Sequence, residues 1–170
     1  GANHSFFGGK LPEIRNSFTY SQIGNVGVVT FSGAYSLEAT TPLLEEACAW
    51  LPRQAGLKLA LLVGHWDKPN DGADTNTSTP GMYEHAAKLE GCDGFDQRGK
   101  LKFIMGHTHC NVPHPHGHRG VGFMVAGQGM GGCGNYGMPI LDTTGGRIKV
   151  YHFGIVDKDG TDHYDDTMKC

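Results

Sequence analysis

Two segments of this chain follow one plan, and together they restrict what it can fold into. Leu57 to Val63 is largely apolar and ends in Gly64-His65; Leu101 to Met105 is again an apolar run and ends in Gly106-His107-Thr108-His109. A short run apolar on both of its faces suits a central strand covered on both sides. Imidazole nitrogen binds borderline divalent ions such as zinc, iron and manganese. A glycine just before the histidine lets the backbone turn sharply, or lets a metal and a substrate come close. Two strand ends that each deliver histidine to one rim make a metal cradle, and that is the working expectation.

The remaining segments surround this pair. Val26 to Phe31 is β-branched and aromatic, which predicts a strand. Phe6 to Ser21 and Ser32 to Thr40 read as loop. Thr41-Pro42 predicts a helix start, with Leu43, Leu44, Ala47, Cys48, Trp50 and Leu51 at helical spacing behind it. Pro52 ends that helix and Gly56 marks the turn beyond. Met82 to Leu89 predicts a short helix and Gly91 to Gly99 a loop. Val121 to Ala126 and Arg147 to Phe153 predict strands on either side of a glycine-dense loop, 127–137.

A length of 170 residues predicts one domain with a real core, and 38% hydrophobic with 18% charged residues fits a globular protein. The net charge of −3 offers no electrostatic case for nucleic acid or an anionic membrane. No apolar run is long enough to span a bilayer. The five cysteines, Cys48, Cys92, Cys110, Cys133 and Cys170, form no CxxC pair, which argues against a cysteine zinc site. Their odd number leaves at least one thiol free or paired outside the chain.

Leu62-Val63-Gly64-His65 and Met105-Gly106-His107-Thr108-His109 resemble the C-terminal metal-binding motifs of the calcineurin-like metallophosphoesterases, and Asn3-His4 resembles their Gly-Asn-His-Asp/Glu motif. The order also matches: Asn-His, strand, amphipathic helix, strand ending Gly-His, then Gly-His-x-His, over roughly residues 2 to 153. The resemblance implies an α/β fold, half of a four-layer α/β/β/α sandwich, strand-rich with few helices, with residues 1–170 as the C-terminal part of such a domain. It implies two divalent metal ions, of zinc, iron or manganese. Asn3, His65 and His107 would share one ion and His109 would reach its neighbour. His4 would assist the phosphate and its leaving group.

The function so implied is metal-dependent hydrolysis of phosphate esters. The sequence departs from the family at Ala2, where glycine is expected, and at Ser5, where an acidic residue is expected. The family's Asp-x-His and Gly-Asp-x-x-x-Asp motifs would precede Asn3. The chain therefore reads as carrying the C-terminal ligands, with the missing portion of the same protein as an expected partner beside the phosphate-ester substrate. The alternative is a non-catalytic secreted binding or structural protein that retains the fold.

Other patterns are weaker. His114, His116 and His118 read as a solvated surface loop, with a secondary metal site as the alternative. Cys110 reads as buried packing or a disulfide. Gly127, Gly129 and Gly132 match a dinucleotide fingerprint, but Gly134, Gly137 and Pro139 leave no helix to follow it. Asp67 to Gly72 fails as a calcium loop for want of oxygen ligands. Asn76-Thr77-Ser78 is a glycosylation sequon which, with the low charge, leans toward a location outside the cytosol.

Overall fold

The computed structural model describes residues 13–70, 76–110, 112–114, 121–125, 137–146 and 149–154. Asn3, His4, His116, His118 and the glycine fingerprint lie outside them. The apolar runs become β3 (Leu59–Gly64) and β4 (Leu101–Met105), inner strands of a six-stranded sheet. With β1 (Phe18–Ile23), β2 (Val26–Phe31), β5 (Val112–Pro113) and β6 (Gly122–Met124), the order is β1-β2-β3-β4-β6-β5. β2, β3, β4 and β6 run parallel, and β1 and β5 close the edges antiparallel. Parallel neighbours need long crossovers, which carry the helices. The fold is α/β, as the sequence implies.

Those helices are α1 (Leu37–Trp50), α2 (Thr79–Ala86) and α3 (Asp93–Gln97). They meet one sheet face, where Leu44, Ala47, Cys48, Met82 and Phe95 pack with Val29, Leu62 and Phe103. Each large apolar side chain buried there contributes about 1.5–3 kcal/mol. On the opposite face Val26, Leu59, Leu61 and Ile104 form a smaller cluster. Leu141 reaches it from the separate antiparallel pair β7 (Gly137–Asp142) and β8 (Lys149–Gly154). Among the described residues no helix is long and apolar enough to cross a membrane.

Four local expectations need correction. β1 was expected to be largely loop, because only Phe18 in it is buried and the remaining five positions are exposed. Its signal is the Gly24-Asn25 reversal, with Gly24 at φ 59°, which returns the chain as the hairpin partner of β2. α1 begins at Ser36, whose hydroxyl accepts from the Ala39 N–H, and not at Thr41. Pro42 is thus inside the helix, on its exposed side, and the Thr40 and Thr41 hydroxyls bond the Ser36 and Leu37 carbonyls one turn before. α2 starts at Thr79, capped by Ser78, three residues before the expected Met82. α3, expected as loop, follows Cys92, which is disulfide-bonded to Cys48 of α1.

Candidate metal centre

The site is built where β3 and β4 end side by side, Gly64 opposite Met105. One residue beyond β3 stands His65, and two beyond β4 stands His107. Their rings lie 5.3 Å apart between centroids, with planes at 73°. Both glycines before them have packing reasons. A Cβ on Gly64 would collide with Thr79 Oγ1 at the start of α2 and with the Phe31 ring, and one on Gly106 would stand 3.0 Å from His65 Nδ1. Gly106 therefore makes room for the neighbouring strand's histidine.

The loop after β4 takes on strain. His107 has φ 63° and His109 φ 55°, left-handed values that cost a side chain with a Cβ about 1–2 kcal/mol. The Thr108 N–H donates to the Gly106 carbonyl at 2.7 Å across His107, a three-residue turn. Three ties hold this conformation. Cys110 is buried and disulfide-bonded, in keeping with the expectation of buried packing or a disulfide. Thr108 Oγ1 lies 3.3 Å from Met124 Sδ, and the Val125 N–H donates to the Met105 carbonyl at 2.9 Å.

Trp66 completes the cluster. Its ring is 4.8 Å from that of His65, edge-on, and 4.4 Å from that of His107, tilted by 51°. It also fills the space a side chain would need at Gly33, where a Cβ would come 2.6 Å from Trp66 Cδ1. The next residue, Asp67, meets His114 Nε2 at 2.8 Å, and His114 is buried against Phe103. His114 is therefore no solvated loop residue. It anchors the segment carrying Trp66 from the far edge of the sheet. Burial first, then the nearby charges of His107 and His109, holds the His65 imidazole below the usual histidine range. Its lone pair is thereby available at neutral pH.

Two imidazoles on one ion, with metal–nitrogen distances of about 2.0–2.1 Å, have centroids roughly 5 Å apart. The His65–His107 pair fits that spacing and the donor type suits zinc, iron or manganese. His109 is exposed on the same loop. Among the described residues no group of three or more histidine, cysteine, aspartate or glutamate side chains is arranged to hold a metal ion. The described residues thus fit part of a donor set. Sequence reasoning missed Trp66, whose position directly after Gly64-His65 was its signal. The Asp67–His114 pair, 47 residues apart, had none.

No protein-family model matches the chain, and no curated protein matches it. Among solved structures, it is similar to a Staphylococcus aureus protein provisionally assigned as a 5'-nucleotidase, at 16% identity and a TM-score of 0.36, over 85% of this chain and 32% of that one. It is also similar to a protein from Mycobacterium smegmatis provisionally assigned as an enoyl-CoA hydratase, at 15% identity and a TM-score of 0.29, over 54% of this chain and 40% of that one. The chain spans about a third to two fifths of the length of these proteins. At such scores neither likeness carries an argument about function.

Proposed function

We propose that this chain carries the C-terminal ligands of a dinuclear metal site that hydrolyses phosphate esters. Asn3, His65 and His107 would hold one ion, His109 its neighbour, and His4 would assist the departing oxygen. The observation that supports this reading is the His65–His107 pair at adjacent strand ends, spaced as two ligands of one ion. Two divalent ions would supply Lewis acidity toward the phosphoryl oxygens. The chain's own part is to hold imidazole nitrogens in place. His65 is kept deprotonated by burial and by its neighbours, and His107 is fixed by its turn and by the Trp66 ring. Neutral donors add no negative charge to repel a phosphate. The disulfides at Cys48–Cys92 and at Cys110 support a site of action outside the cytosol.

The test is elemental analysis of the protein isolated from its source, with phosphatase assays on the same preparation. About two divalent ions per complex that completes the ligand set, lost with hydrolysis in His107→Ala, is the expected result. Neither metal nor hydrolysis, even after adding zinc, iron or manganese, would sink the reading. A non-catalytic binding protein is then the better account.

A further inference from the structure

At the other end of the same strands lies a cleft of about 350 Å³ with a different chemistry. Lys58 immediately precedes β3, Lys100 immediately precedes β4, and Arg98 follows α3; all three line it. Its apolar walls are Leu51, Leu57 and Phe95. The turn between β7 and β8 borders it through Gly145 and Gly146, and Gly146 lies against the Lys58 stem. The six residues of β3, at about 3.3 Å each, set this cleft roughly 20 Å from the histidine rim.

Each cation here with a partner is positioned by a neutral group. Lys100 Nζ donates to the Gly146 carbonyl at 2.5 Å. The Arg98 guanidinium lies over the Phe95 ring, 5.2 Å from its centroid. The nearby carboxylates are engaged elsewhere. Asp93 accepts from the Gly91 and Gly94 N–H groups, and Asp96 accepts from the Tyr83 hydroxyl. No described carboxylate forms an ion pair with Lys58, Arg98 or Lys100, whereas Arg15 on the outer surface does pair with Glu46. Three like charges gathered on one concave surface repel one another, and a chain of net charge −3 has carboxylates to spare for neutralising them.

We infer that this cleft binds a small, multiply charged phosphate anion, with Arg98 supplying a planar fork and the two lysines point charges. The site is separate from the histidine rim and does not depend on the hydrolase reading. The test is calorimetric titration of inorganic pyrophosphate into the full chain, into Lys58→Gln/Arg98→Gln and into His107→Ala. Both replaced cations are exposed, so thermal melts should confirm folded variants. The expected result is a saturable site that persists in His107→Ala, is weakened more than tenfold in the double variant, and weakens as salt rises. Binding lost in His107→Ala but kept in the double variant would assign the anion to the histidine rim and overturn the inference. So would the absence of saturable binding in the millimolar range.

Discussion

The two rims of the parallel sheet reverse the chain in different ways. At the rim where β2, β3 and β4 begin, the turns leading into these strands use Gly24, Gly56 and Gly99 in left-handed conformation, at φ 59°, 75° and 65°, with open space where a Cβ would be. At the rim where β3 and β4 end, the left-handed positions after the strands are Asn70, a residue type that tolerates that conformation, and the two histidines His107 and His109. Glycine occupies such a conformation at little steric cost, and histidine does not. A chain that needs only a turn has no reason to spend strain on a side chain. Strain on two histidines, with the Trp66 contact beside it, is what the proposed metal centre would account for.

The comparison can be broken in three ways. The largest effect should come from Cys48→Ser with Cys92→Ser, which frees a tie across 44 residues and is expected to cost about 2–4 kcal/mol in denaturant unfolding. That tie joins the segments leading to Lys58 and Arg98, so hydrogen exchange should rise first around residues 91–99 and later around 106–109. Uniform loosening would show that the rims are not independent. Next, Gly99→Ala should destabilise by about 1 kcal/mol through its backbone alone. No change would mean that this turn relaxes, and the contrast between rims would lose its basis. The smallest effect has the opposite sign. His107→Gly should stabilise by about 0.5–1 kcal/mol by relieving strain while abolishing metal uptake. Net destabilisation would show that packing of the ring on Trp66 outweighs the strain.

Much of the framework was legible because it rests on local chemistry. β2 and β4 were expected with their observed bounds and β3 within two residues, since unbroken apolar runs leave few alternatives to an inner strand. β1 was missed because an edge strand with one buried side chain shows almost no apolar pattern. The start of α1 was misplaced because Thr41-Pro42 has the pattern of an N-cap and first helical residue while Ser36 is the cap, and α2 was started at Met82, past its Ser78 cap. The histidines of the two strand ends were legible as candidates, and so was the possibility of a disulfide at Cys110.

By itself, the sequence determined the inner strands, the histidines that follow them and the glycines beside them, because hydrophobic pattern and residue type act over a few neighbours. Only the tertiary structure decided the rest. It brought His65 within 5.3 Å of His107, set Trp66 against both and paired Asp67 with His114. It also gathered Lys58, Arg98 and Lys100 on one cleft at the opposite rim. The physical reason is strand register. Side chains dozens of residues apart meet only when parallel strands align Gly64 with Met105, and strands apolar on both faces carry little of the alternation that would encode that alignment.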